Sequence, residues 1–114
     1  MVEHIDNYRY NTFMDKIFKA LVDKNRRKIL TLLKERDLSV NELLKNFEIG
    51  QATLSNHLSI LKKAGLVDCQ IWGKQRIYRL NKDLLFAFAE NMRRFVGKID
   101  ESVVQEIAIR PKMV

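Results

Sequence analysis

The chain has little of what small catalytic or metal sites are built from. It contains one cysteine, Cys69, and two histidines, His4 and His57, so neither an internal disulfide nor a multi-thiolate zinc site can form within it. One proline and four glycines in 114 residues leave scant material for turns or flexible linkers, which favours helices. No apolar run reaches the roughly 18 to 20 residues that span a bilayer, and the opening Met-Val-Glu-His-Ile-Asp-Asn lacks the basic and apolar regions of a signal peptide. The expected location is the cytoplasm, with no membrane insertion. A Gly-rich phosphate loop and an acidic metal cluster are also missing, and neither histidine has a clear partner, so no enzyme, cofactor or metal is expected.

What is present is positive charge. Twenty-one Lys and Arg against fourteen Asp and Glu give a net charge of +7, which implies a polyanionic partner, nucleic acid first and an anionic membrane surface second. Against that background the segment Gln51 to Leu61 (Gln-Ala-Thr-Leu-Ser-Asn-His-Leu-Ser-Ile-Leu) has no fully charged side chain. Base edges in the major groove are discriminated by short neutral donors and acceptors and by methyl contacts, while Lys and Arg around them hold phosphate. The cations do lie outside it, at Lys62, Lys63, Lys74 and Arg76.

Periodicity supplies the frame. Phe13, Met14, Ile17, Phe18 and Leu21 recur at three- and four-residue spacing, an apolar helical stripe over about 11–22. Tyr8 and Tyr10 extend this greasy surface beyond what a small core needs, which points to a partner chain. Asp23 or Asn25 can cap a second helix that carries Ile29, Leu30, Leu32 and Leu33 inward and Arg26, Arg27, Lys28, Lys34 and Arg36 outward. Ser39 with Glu42 is a capping box for a short helix from Val40 to Asn46. Glu48-Ile49-Gly50 breaks that helix, with Gly50 free to take a backbone conformation other residues resist. The next helix, Gln51 to Ala64, completes a helix-turn-helix. Its ridge of Leu54, Leu58 and Leu61 faces a core, and Ala52, Asn56, Ser59 and Lys63, flanked by Thr53 and Ser55, face out.

Past the helix-stopping Gly65 the period changes to two. Val67, Cys69 and Ile71 alternate with Asp68, Gln70 and Trp72, and beyond Gly73-Lys74 the run Arg76 to Leu80 is β-prone, so a hairpin is expected with Lys74 and Gln75 near its tip. Asn81 or Asp83 can cap a last helix over about 83–96, whose Leu85, Phe88, Met92 and Phe95 make it too apolar for a simple surface helix. Ile99, Val103 and Ile107 repeat every four residues, while Val103-Val104 and Ile107-Ala108-Ile109 also suit a strand; both readings stay open for 97–114, a C-terminal extension of unassigned role. The fold class is mainly α with a small β-hairpin wing: four helices, two strands and a fifth helix in one domain, 1–114.

Three blocks in this order carry a family resemblance. They are Phe18-Lys19-Ala20-Leu21-Val22-Asp23 leading into Arg26-Arg27-Lys28-Ile29-Leu30; Leu54-Ser55-Asn56-His57-Leu58 through Leu61-Lys62-Lys63-Ala64-Gly65-Leu66-Val67; and Gly73-Lys74-Gln75-Arg76-Ile77-Tyr78-Arg79-Leu80. Over roughly Phe13 to Phe95 the chain resembles the ArsR/SmtB-type bacterial winged helix-turn-helix regulators. The resemblance implies a homodimeric repressor on a palindromic double-stranded operator, with first and last helices pairing across a two-fold axis and an effector weakening DNA binding.

By position it places Gln51, Thr53, Ser55, Asn56 and His57 on the recognition helix, to which Ser59 is added as an outward residue. Lys62 and Lys63 are the expected backbone contacts, and Lys74, Gln75 and Arg76 form the wing. The expected dimer contacts are Tyr10, Phe13, Met14 and Ile17 from the first helix and Leu85, Phe88, Met92 and Phe95 from the last. Where many metal-sensing relatives carry a cysteine pair, this chain has Ser39 and Asn41, and from Asp83 to Glu106 it has no histidine. Both usual sensing sites are therefore missing.

Several positions keep two readings. His57 lies near the Leu54 and Leu58 ridge, so it is either a partly buried residue or a phosphate contact. Trp72 either packs on the domain or helps a minor-groove contact, with packing favoured. Cys69 is on the apolar parity of its strand and reads as a small buried residue; the alternative is a thiol sensor with Arg79 as the cation favouring thiolate. A further alternative for the whole chain is a protein-interaction module with a relict helix-turn-helix.

Overall fold

The computed structural model describes residues 13–109, with side chains for 13–98; Tyr10, an expected dimer contact, lies outside that range. The chain divides into two compact units, Met1–Leu84 and Leu85–Val114. The first contains helix α1 (13–21), then α2 (Lys24–Glu35), β1 (Leu38–Ser39), α3 (Val40–Leu44), α4 (Gln51–Lys63), β2 (Val67–Trp72), β3 (Gln75–Leu80) and the first turn of α5 (Lys82–Ile109). The second unit holds the remainder of α5.

Each start signal has a local cause. Asp23 is the N-cap of α2, its Oδ1 accepting the amides of Asn25 at 2.7 Å and Arg26 at 3.2 Å. The Ser39 hydroxyl accepts the Glu42 amide at 3.1 Å and the Glu42 carboxylate accepts the Ser39 amide at 3.0 Å, so the capping box is complete. α4 ends in a Schellman motif, in which Gly65 at φ 82° bonds back to the Lys62 carbonyl and Leu66 to that of Leu61. Asn81 fastens this end: its Nδ2 donates to the Gly65 carbonyl at 2.9 Å while its Oδ1 accepts the Leu84 amide at 3.2 Å. Of the two residues expected to cap the last helix, Asn81 is the one that does so.

The sheet is larger than a hairpin. β1 joins β3 antiparallel, Leu38 opposite Tyr78 and Ser39 opposite Ile77, giving the strand order β1-β3-β2. A two-residue strand shows no alternation in sequence, and its partner lies far along the chain, so it was not expected. β2 and β3 meet through Gly73 and Lys74. Gly73 has φ 61° and no non-glycine residue has positive φ among the described residues, the pattern of a type II′ turn, whose twist suits a two-residue hairpin.

Ile17, Ile29, Leu33, Leu43, Leu54, Leu58, Leu61, Leu66 and Val67 are fully buried, so the leucine ridge of α4 does face the core. Three expectations are corrected and two open points resolved. Gly50 has φ −73° and ψ 162°, an ordinary extended conformation that any residue adopts. Met14 and Ile17, expected at a partner chain, are 8% and 0% exposed and so belong to this chain's own interior. Trp72, expected to pack, is 70% exposed, because β2 and β3 run out past the helices that bury Val67 and Leu80. For the same reason Cys69 is only half-buried and Ile71 is exposed, although they share the parity of buried Val67. Finally, α5 runs unbroken through Gly97 to Ile109, where both helix and strand had been open beyond 97. Elongating a formed helix adds one bond per residue, and a lone glycine costs only about 1 kcal/mol.

Candidate nucleic-acid interface

Turning by about 100° per residue, α4 separates two surfaces. Leu54, His57, Leu58 and Leu61 point inward and are buried. Gln51, Ala52, Thr53, Ser55 and Asn56 are exposed, with Ser59 half-buried. Five of the six expected recognition-helix residues thus share one accessible face. No side chain caps the helix start at Gly50, which leaves the first-turn amides to solvent or an anion. Lys62 and Lys63 occupy the last turn, where they complement the helix dipole.

The sheet brings the wing to this face. A groove of about 350 Å³ between α4 and β3 is lined by Val40, Gln51, Ser55, Ser59, Lys62, Arg76 and Tyr78. Beside it a recess joins Ser39, Val40, Asn41 and Gln51 to Lys74, Gln75 and Arg76. Helix and wing residues far apart in sequence therefore form one continuous surface, with Lys63 exposed at its margin. Val40, Asn41 and Tyr78 were not expected here. The pairing of Leu38 with Tyr78 delivers them, and no sequence pattern marks that pairing.

His57 is the site residue that leaves the surface. It is 8% exposed and its Nδ1 lies 3.3 Å from Nη1 of Arg26. Arginine can only donate, so Nδ1 must present its lone pair. Arg26 also donates from Nε to the Ala20 carbonyl at 2.7 Å and from Nη2 to that of Lys19 at 2.9 Å. Arg27 donates to the carbonyls of Leu21 and Val22 at 2.7 and 2.9 Å. The basic start of α2, expected in solvent, thus closes the C-terminal end of α1, where unsatisfied carbonyls and the helix dipole both favour cations. Through His57 the same guanidinium reaches the recognition helix. Lys28 similarly donates to the Asn46 carbonyl and lies 4.7 Å from the centre of the Phe47 ring, holding the turn that precedes α4.

The thiol site loses its proposed activator. Cys69 stands opposite Tyr78, whereas Arg79 stands opposite Asp68 on the other face of the sheet and bonds Asp37 at 3.1 Å. Burial pushes the Tyr78 phenol above its usual range, with Cys69 adding to the shift and Arg76 opposing it. Among the described residues no group of three or more His, Cys, Asp or Glu could hold a metal ion, and no helix is long and apolar enough to cross a membrane.

Comparison with known proteins gives a consistent picture. Residues 23–68 match the family described as "Bacterial regulatory protein, arsR family". The chain is 36% identical to the transcriptional repressor SdpR of Bacillus subtilis over 79% of its own length and the whole of that protein. It is 33% identical to the transcriptional activator HlyU of Vibrio cholerae over 68% of its length and 72% of the relative. Among solved structures it is similar to an ArsR-like transcriptional regulator from Rhodococcus sp. RHA1, with TM-score 0.77 and 26% identity over 91% of this chain and 98% of that one.

Proposed function

We infer that this chain, which belongs to the arsR family of bacterial regulatory proteins, acts in the cytoplasm as a homodimeric repressor binding a palindromic operator. It is a sequence-specific DNA-binding regulator of winged helix-turn-helix architecture. The observation that carries the site assignment is the uncharged, exposed face of α4 bordered by exposed Lys62, Lys63, Lys74 and Arg76. Gln51, Thr53, Ser55 and Asn56 read base edges, and the cations hold phosphate. His57 acts from beneath, as a positioning residue.

Dimerisation rests on apolar side chains left in solvent by the single chain. Phe13 of α1 and, separately, Phe86, Phe95 and Val96 of α5 are all more than a third exposed. Each helix offers its own apolar residues to a second copy, α5 adding half-buried Leu85 and Met92, in place of Met14 and Ile17. Named relatives include both a repressor and an activator; repression follows from occupying an operator with no further machinery.

The test is selection of bound fragments from the source genome with the full chain, followed by footprinting. Two identical protected half-sites, one helical turn or a multiple of it apart, are expected. No enrichment over bulk DNA, or a footprint of one half-site, would overturn the proposal.

A further inference from the structure

The large apolar side chains exposed among the described residues fall into two groups. Six are on or next to helices α1 and α5; the other two, Ile71 and Trp72, are consecutive at the end of β2, point to opposite faces of the ribbon and are 73% and 70% exposed. Their setting is cationic: Ile71 is opposite Arg76, Trp72 is opposite Gln75, and Lys74 is in the turn between the strands. The Trp72 indole Nε1 is 3.5 Å from Oε1 of Gln70, two residues back on the same face, so the ring lies along the strand rather than folding over the tip. A polar tip would suffice to touch phosphate.

Resting on the DNA-binding reading, we propose that the wing tip is an apolar wedge which enters the minor groove and opens a base step. The occupant follows from the neighbours. Arg76 shares the face of Ile71, Lys74 is in the turn, and both cations line the recess shared with Gln51, so whatever receives the tip from both faces, covering Ile71 and Trp72 together, must also satisfy two cations beside the recognition helix. A duplex offers both chemistries, phosphates at the groove walls and flat base faces once a step is unstacked. Apolar side chains that insert this way bend the duplex toward the major groove, and flexible pyrimidine–purine steps open most easily. The operator therefore carries such a step flanking each half-site, read without any base hydrogen bond.

Trp72 is the only tryptophan, so it reports on itself. The full chain is titrated with a duplex recovered in the genomic selection, following tryptophan emission, acrylamide quenching and, by end-to-end energy transfer, the bend of the duplex. Binding should change the emission and shield the ring from acrylamide. Trp72→Ala should lose about tenfold in affinity, on the scale of one aromatic stacking contact, and should straighten the duplex. Trp72→Phe should keep the bend and Lys74→Ala should weaken binding with the bend retained. A wild-type complex in which Trp72 stays as quenchable as in the unbound protein, or a Trp72→Ala complex equally tight and bent, would overturn the wedge while leaving DNA binding intact. Emission that changes with protein concentration in the absence of DNA would assign the patch to contact between copies and also overturn it. Absence of any duplex binding by the wild type would remove both proposals.

Discussion

Asn56 and Lys74 are proposed to divide two jobs on one surface. An amide at a base edge discriminates by matching donors and acceptors, whereas an ammonium at a phosphate sees the same charge on every sequence. Asn56→Ala should cost about 1 to 3 kcal/mol on the operator and much less on unrelated DNA. Lys74→Ala should weaken both by a similar factor. Titrations against operator and scrambled duplexes check this, and equal losses for Asn56→Ala on both would remove the division of roles. Beneath that surface, Arg26 and His57 should behave as one unit. In a double-mutant cycle of Arg26→Gln and His57→Gln, urea unfolding should give a coupling of about 0.5 to 3 kcal/mol, as expected for hydrogen-bonded neighbours, and additive losses would mean the contact carries nothing. The neutral face of α4 was legible because helical spacing alone sets it. The place of Arg26 was not: its guanidinium turns inward only because α1 ends within reach.

At the scale of elements, α3 shows how a short helix is secured. Five residues are far below the length at which a helix persists unaided, so the capping box and the pairing of Ser39 with Ile77 must hold it. Ser39→Ala should cost about 1 kcal/mol of unfolding free energy, read from the urea midpoint. The Ser39 amide and hydroxyl hold the Glu42 carboxyl below its usual range, with the Arg36 and Lys45 charges assisting. A carboxyl depressed by folding binds its proton more readily in the unfolded chain, so its contribution is full above the unfolded value and disappears as pH falls through the folded one. Wild type should therefore lose stability in acid relative to Glu42→Gln, which lacks that titration, and parallel pH profiles would refute it. Ser-x-x-Glu announced this box from sequence; β1, two residues long and paired far along the chain, announced nothing.

For the whole molecule, net charge and dimerisation set the binding curve. If about six phosphates are neutralised, the logarithm of affinity should fall with the logarithm of salt at about −0.9 per contact, a slope near −5. A slope near zero would contradict an electrostatic rim. Phe95, 57% exposed, is proposed to meet a second copy, so Phe95→Glu should shift sedimentation toward the monomer. It should also weaken a two-half-site duplex far more than a single half-site. A variant that sediments as wild type and binds both duplexes as wild type would place the dimer contact elsewhere.

Sequence alone determined the helices as far as 96, the hairpin, the capping box at Ser39 and which face of α4 is neutral, because each depends on residues within a turn or two of one another; it offered two caps each for α2 and α5, and the fold uses Asp23 and Asn81. Tertiary structure decided that His57 is buried beside Arg26 rather than exposed on the outer face of α4, that Met14 and Ile17 are buried, and that Trp72 stands in solvent. Those outcomes depend on how far β2 and β3 extend past the helices that cover their base, and on which distant carbonyls a guanidinium can reach. Such distances arise only once the elements are packed together, and no local spacing of residues encodes them.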